Sequence, residues 1–426
     1  MRLHNLLLIS IICGGLLAAC SSEPSKDNAT GTLATPVPTL ASPTVLPAAT
    51  ISSTSAAATS AITTATVSTT ATVSTTATVS MTSTVTTTVA ENGQSYPGKI
   101  AYTGVEKGRV NIFVMTPDRT YQKQLTSGSG VSFLPQWSPD GKLVAYFHYD
   151  AQKDITTIWV ADATGNTAPR LVSPATGVKT ADRLSWSADN HFLVYQDIQP
   201  NSNQRDIYRL DITTGEVVNL TTDSVKFDTL PTWSPDGQWI AFVSDRTNES
   251  KGSDSVWLMT SDGKNAKELT KPAGAWENTK PAWSPDSKQL AFYRWTVQKN
   301  FTAPGGPAGL WVMNVDGSHE QHLVDFTDWL PSDAPVWSPD GKLIAFDYGN
   351  KDDTNVWVVA AQGGKPTQIS HLPGGEKNIA WSPDSKAFVF TNFQKDMLTL
   401  YLAQPDNSDP KPFFETGGNG FGSWSR

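Results

Sequence analysis

Pro335-Val336-Trp337-Ser338-Pro339-Asp340-Gly341-Lys342-Leu343-Ile344-Ala345-Phe346 decides how this chain folds. Ser-Pro-Asp-Gly is turn chemistry: Pro presets its φ for a type I turn, Asp follows, and Gly closes it. Apolar residues flank it, so the segment predicts a hairpin joining two strands. W-S-P-D-[GS] stands at Trp137–Gly141, Trp233–Gly237, Trp283–Ser287, Trp337–Gly341 and Trp381–Ser385, with a degenerate copy at Trp186–Asn190 and a truncated one at Trp424-Ser425-Arg426. Successive motif Trp residues lie 43 to 54 positions apart, a period that means one supersecondary unit stacked on copies of itself.

Three further short strands belong to each copy. The second strand carries an Ala-aromatic pair, as in Ile100-Ala101-Tyr102 and Ile240-Ala241-Phe242. The third reads like Ile158-Trp159-Val160, and the fourth ends like Leu269-Thr270. Four β-branched and aromatic runs per copy predict an all-β chain: a seven-bladed β-propeller of four-stranded antiparallel blades over residues 98–426. The first copy has no Trp motif before Gly98, and the chain ends on Gly422-Ser423-Trp424-Ser425-Arg426. Joined end to end, the two termini reproduce the motif. The C-terminal strand is therefore expected to close blade one, removing two open sheet edges. The motif Trp is expected to pack between blades.

Residues 1–19 read as a lipoprotein signal peptide. Arg2 gives the positive start, and the apolar run Leu6–Leu17 is short for a membrane span. Leu17-Ala18-Ala19-Cys20 then forms a lipobox, with Cys20 the lipidated first residue of the mature chain. The protein is thus expected to be exported and held by acyl chains on the extracytoplasmic face of the bacterial cell membrane or outer membrane. Residues 20–97 are nearly all Thr, Ser, Ala, Val and Pro, with T-T-A-T-V-S at Thr69–Ser74 and again at Thr75–Ser80. Such a stretch cannot bury enough surface to offset its ordering entropy. It predicts a disordered tether whose ends lie roughly 50 Å apart. The two cysteines are Cys13, which leaves with the signal, and Cys20, so the propeller is expected to stand without a disulfide. A net charge of −8 and a pI near 5.3 argue against nucleic acid as a partner.

The pattern P-x-W-S-P-D-G-x-x-I-A-F is met at Pro231–Phe242, followed by Val256–Thr260, and again at Pro335–Phe346. These residues resemble the WD40-like repeats of the TolB-type β-propeller family, over about residues 98–426. The resemblance implies the propeller. Proteins named TolB also carry an N-terminal α/β domain and typically six blades; here the Thr-rich tether takes the first place and seven blades are counted. A Tol–Pal-like role in envelope integrity stays open on this resemblance.

The sequence contains no G-x-S-x-G, H-E-x-x-H, phosphate-binding Gly loop or EF-hand loop. The Ser-Asp pair of the motif recurs in most blades without a companion His, which makes it structural. The chain is therefore expected to be non-enzymatic and to need no cofactor. Turns from strand one to two and from three to four are short. The other connections are long, and they share one face, where binding is expected. Trp276, Trp295, Phe301 and Trp329 are the candidate aromatic ligand face. Ser132, Asp182, Asp228, Asn278, Asp333, Glu376 and Asn419 stand four or five residues before each motif Trp. In register they would ring the mouth of the central channel, either as hydrated lining or as an acidic funnel suited to Ca²⁺ or a basic segment. The expected protein is a monomeric module that binds a protein, a peptide or an envelope glycan. The alternative is a metal-assisted carbohydrate-active enzyme using the funnel.

Overall fold

A computed structural model describes residues 96–425, apart from 201, 225, 247–253, 271–275, 297–307, 327–330, 351–352, 395–396, 407–408, 416–419 and 421. Cys20 and the expected tether up to residue 95 lie outside the described residues. Every regular element among the described residues is a strand.

The first repeat contains β1 (Ile100–Glu106), β2 (Arg109–Met115) and β3 (Gln122–Gln124). The second contains β4 (Val131–Trp137), β5 (Leu143–Asp150), β6 (Ile155–Asp162) and β7 (Arg170–Leu171), and the third β8 (Ser185–Trp186), β9 (Phe192–Ile198), β10 (Arg205–Asp211) and β11 (Val217–Asn219). The fourth has β12 (Asp228–Trp233), β13 (Trp239–Ser244), β14 (Ser255–Thr260) and β15 (Lys267–Glu268), and the fifth β16 (Trp276–Trp283), β17 (Gln289–Thr296), β18 (Ala308–Asn314) and β19 (Gln321–Phe326). The sixth has β20 (Val336–Trp337), β21 (Leu343–Asn350), β22 (Asp353–Ala360) and β23 (Thr367–Gln368), and the seventh β24 (Gly375–Trp381), β25 (Phe388–Gln394), β26 (Met397–Ala403) and β27 (Lys411–Glu415). Within each repeat, consecutive strands pair antiparallel. The last strand, β28 (Gly422–Trp424), pairs antiparallel with β1 through Ile100↔Trp424, Ala101↔Ser423 and Tyr102↔Gly422.

The Ser-Pro-Asp-Gly hairpin forms for a local reason. The Ser138 hydroxyl donates to Asp140 Oδ1 (2.7 Å) and accepts from the Leu143 N–H (3.0 Å), while Asp140 Oδ1 also accepts from the Lys142 N–H (3.1 Å). Gly141, at φ 68°, closes the turn by donating its N–H to the Ser138 carbonyl (2.9 Å). The same bonds recur around Ser187, Ser234, Ser284, Ser338 and Ser382. At the chain ends, Ser425 donates its N–H to the Lys99 carbonyl (2.8 Å), and its hydroxyl accepts from the Lys99 N–H (2.8 Å). That is the same hairpin with the chain interrupted inside its turn.

Second strands are buried on both faces, because alternate residues face different neighbours. Ile344 and Phe346 pack with Tyr293, Leu310 and Val324 of the fifth repeat. Ala345, between them, packs with Trp381, Phe388 and Phe390 of the seventh. The small Ala lets the large rings of the next sheet approach, which explains the recurrent Ala-aromatic pair. Ile100 and Tyr102 share a core with Val389, Leu400 and Phe413, so the seventh repeat packs on the first. Each such aromatic ring buried contributes about 1.5–3 kcal/mol.

Two further devices join the strands. The outer strands are only two to six residues long, and a hydroxyl just past most of them caps an amide of strand three. Thr126 accepts from Ile112, Ser173 from Ile158, Thr221 from Ile207, Thr270 from Val256 and Ser370 from Val356, at 2.8–3.1 Å. This is the physical content of the Leu-Thr ending. Between repeats, the motif Trp donates its indole N–H to the carbonyl just before the preceding motif Trp: Trp186 to Gln136 (3.1 Å), Trp283 to Thr232 (3.0 Å), Trp337 to Ala282 (3.1 Å) and Trp381 to Val336 (3.1 Å). Trp233 departs from this, bonding the Gly237 carbonyl of its own turn (3.2 Å).

Candidate binding site

Of the seven residues expected at a channel mouth, four are held inside their own sheets. Ser132 bonds His148 Nδ1 at 3.0 Å. The Asp228 carboxylate pairs with the Arg246 guanidinium at 2.9 Å. Asn278 Oδ1 accepts from Arg294 Nε at 2.7 Å. Glu376 accepts from the Val356 N–H (2.9 Å) and from the Ser370 hydroxyl. All four are fully or almost fully buried. The cause is a bulge two residues further on, where Leu134, Leu230, Lys280 and Asn378 take φ of 51–60° and the ladder register shifts. A bulge re-aims the side chains on either side of it. Burial pushes the Glu376 carboxyl up to about 7, against the lowering by Ser370 and Val356.

The third and sixth repeats are built differently, because β8 and β20 begin only at Ser185 and Val336. The chain before each is captured by a carboxylate of strand two. Asp197 accepts from the N–H groups of Lys179 (2.8 Å) and Thr180 (3.1 Å). Asp347 accepts from those of Ser332 (2.7 Å) and Asp333 (3.1 Å). Asp182 and Asp333 therefore sit outside the ladders and join a charged hub. Lys280, from the fifth repeat, donates its ammonium to the carbonyls of Pro331 (2.6 Å) and Ser332. Asp333 Oδ2 accepts from the Asn378 N–H of the seventh repeat (2.6 Å). Burial raises the carboxyls of Asp182 and Asp347, and Lys280 pulls both back. Burial lowers the Lys280 pKa, opposed by Asp347, Asp333 and Asp182. The fifth, sixth and seventh repeats thus meet at the chain before β20, and the charge of Asp182 in the third acts on Lys280. Asn419 lies outside the described residues.

On the aromatic face, Trp276 pairs with Thr296 and Glu277 with Trp295 across β16 and β17. Trp295 is half-buried against the core shared by the fifth and sixth repeats. Phe301 and Trp329 lie outside the described residues. Sequence reasoning passed over Phe227, which is 52% exposed. It lies in a strand-four-to-strand-one connection, on the same face, directly before β12. Its N–H donates to Asp245 Oδ1 (2.9 Å), and it lines a cleft of about 270 Å³ with Asn203, Gln204, Lys226 and Asp245. The available signal was an aromatic among the polar residues of a long connection. Next to this cleft, burial and the charge of Asp245 push the Asp254 carboxyl up to about 6. Burial and the charge of Asp254 push Glu277 up to about 7.

Residues 92–303 and 247–425 match the TolB beta propeller domain family. The chain belongs to that family. An uncharacterized protein of Agrobacterium fabrum is 30% identical over 211 residues, covering 49% of this chain and 67% of that protein. A TolB homolog of Chlorobium chlorochromatii is 29% identical over 151 residues, 35% of this chain and 32% of its own length. The chain therefore spans about a third of that second relative. Among solved structures, the propeller resembles an oligogalacturonate lyase of Vibrio parahaemolyticus at 18% identity and a TM-score of 0.55, covering 72% of this chain and 86% of the other. At that identity the likeness shows the propeller fold alone.

Proposed function

We propose that this protein is a lipid-anchored, extracytoplasmic propeller of seven blades that binds a protein or peptide segment on its long-connection face and catalyses no reaction. The seven motif copies support the blade count, and the β28–β1 pairing with the core shared by the first and seventh repeats supports closure. The leader ending in Cys20 supports export and anchoring.

The observation that carries the binding reading is Phe227. Among the described residues, Leu171 and Phe227 are the exposed large apolar side chains, at 39% and 52%, and the Phe227 ring stands at a cleft on the face where connections are long. The polar groups near the channel support binding over chemistry. Asp228 and Asn278 are engaged within their own blades, Glu376 is bonded by Val356 and Ser370 of the sixth, and the Lys280 ammonium is taken up by the Pro331 and Ser332 carbonyls.

In-cell photocrosslinking tests this reading. A benzophenone amino acid placed at Phe227 is expected to give a discrete adduct with a partner protein. The same group at Tyr121, in a short turn on the opposite face, is expected to give none. Identical adducts from both positions, or no adduct from either, would refute it.

A further inference from the structure

We infer that the seam between the third and fourth repeats holds a second binding site, on the short-turn face, for a neutral saccharide unit of a glycan. The site is a cleft of about 250 Å³ whose lining includes Ala188, Asp189, Phe192, Arg209, Trp233 and Asp236. Several departures from the repeat meet there. Ala188 stands where the five full motifs carry Pro. Arg209 stands in strand three where the other six repeats place Val114, Val160, Leu258, Val312, Val358 and Leu402. The Lys found two residues after the motif Asp in other repeats is His191 in the third and Gln238 in the fourth. Trp233, as described, bonds the carbonyl of its own turn. Places where a chain breaks its own local rules are where functional sites are expected.

These departures free polar groups. In the second, fifth, sixth and seventh repeats the Lys pairs with Oδ2 of the motif Asp: Lys142 with Asp140 (3.3 Å), Lys288 with Asp286 (3.8 Å), Lys342 with Asp340 (3.1 Å) and Lys386 with Asp384 (3.7 Å). Asp189 and Asp236 are held by Oδ1 alone. Asp189 Oδ1 accepts from the Ser187 hydroxyl and the His191 N–H (3.0 Å), and Asp236 Oδ1 from the Ser234 hydroxyl and the Gln238 N–H (3.0 Å). Their Oδ2 atoms take no hydrogen bond or ion pair among the described residues, and both side chains are exposed. Arg209 lies over the Phe192 ring (4.9 Å), which stacks on Trp233 (6.4 Å). Of its five N–H groups, one donates to the Ser261 carbonyl (3.3 Å).

The cleft therefore offers two acceptor oxygens, a guanidinium with donors to spare, and Phe192 and Trp233 as an apolar wall. Neighbouring hydroxyls of a sugar ring both donate and accept, so one ring satisfies the carboxylates and the guanidinium together. Its C–H groups meet the aromatic wall. An anion would reach Arg209 only beside two carboxylates, and a cation would reach the carboxylates only beside Arg209. At about 250 Å³ the cleft is smaller than the roughly 300–1,000 Å³ of drug-sized sites. It takes one ring of a chain and leaves the rest in solvent.

A glycan array of neutral, acidic and amino oligosaccharides tests this, probed with the full chain solubilised in a detergent that carries no sugar. Neutral oligosaccharides are expected to bind, and titration calorimetry then follows the tightest of them. Arg209→Val restores the residue class of the other repeats and should weaken that binding about tenfold. Gln238→Lys supplies the partner that Asp236 lacks and should weaken it about threefold. Both variants bring the chain closer to its own repeat, and melting curves matching wild type confirm that they fold. Asp340→Asn, in the Lys-paired turn of the sixth repeat, should leave binding unchanged. An array on which no neutral glycan binds would overturn the site. So would binding that survives both Arg209→Val and Gln238→Lys. The photocrosslinking result at Phe227 judges the other face by itself.

Discussion

The indole N–H of Trp137 donates to the carbonyl of Ser423, 286 positions later in the chain, at 3.0 Å. This is the bond that Trp186 makes to Gln136 and Trp283 to Thr232, with the acceptor supplied by the C-terminal strand. Trp424 adds its own bond to the Pro97 carbonyl (2.9 Å) and an edge-on contact with Tyr96. The two ends of the domain are thus held by side chains as well as by the β28–β1 ladder.

Trp424→Ala should destabilise the domain by about 3–5 kcal/mol, the usual cost of emptying a buried Trp site. Chemical denaturation of wild type and variant measures it. A midpoint unchanged by the substitution would mean that β28 contributes little to holding the first blade.

The fifth motif position alternates between Gly141, Gly237 and Gly341 on one hand and Asn190, Ser287 and Ser385 on the other. Each polar member accepts from the Asp N–H of the preceding blade's turn: Asp140 to Asn190 (3.0 Å), Asp236 to Ser287 (2.9 Å) and Asp340 to Ser385 (3.0 Å). All three hold φ of 60–62°. Ser287→Ala keeps the left-handed strain and loses the bond, so it should cost about 1 kcal/mol. Ser287→Gly loses the same bond but relieves roughly 1–2 kcal/mol of strain, and should be close to neutral. Melting curves of the pair decide it; equal losses would show that the hydroxyl bond outweighs the backbone term.

Glu376 makes stability depend on pH. Its folded pKa, about 7, lies above its ordinary value of 4.5, so the folded state binds the proton more tightly. Its contribution is fully present below about pH 4.5 and is lost as pH rises through 7. The loss is on the order of 3 kcal/mol. Glu376→Gln preserves an acceptor for Val356 and Ser370 and removes the titration. Its stability should fall less than that of wild type between pH 5 and 8, measured by denaturant midpoints. Parallel pH profiles would refute the assignment to Glu376.

Lys280→Met removes the hub's ammonium at similar volume and takes from Asp182 and Asp347 a positive charge that opposes their burial. Losing the ammonium's hydrogen bonds to the Pro331 and Ser332 carbonyls costs about 1.5–3 kcal/mol. The loss should be smaller at pH 5 than at pH 8, because Asp182 and Asp347, whose carboxyls burial raises, take up protons more readily there. A loss of equal size at both values would show that packing, not charge, is what Lys280 supplies.

The sequence by itself determined the repeat, the hairpin and the strand order. These are local: Ser, Pro, Asp and Gly satisfy one another within five residues, and a period of two assigns the faces of Ile344, Ala345 and Phe346. The match between Trp424-Ser425 and Gly98-Lys99 was legible for the same reason, since each half of a turn carries its own chemistry. Only the tertiary structure decided where Ser132, Asp228, Asn278 and Glu376 point. A bulge reverses the faces of a strand, and nothing in those four residues announces the left-handed residue that follows. It also decided the partners of Lys280 and the exposure of Phe227. A side chain's neighbours across blades depend on how separate sheets pack, and no single segment encodes that.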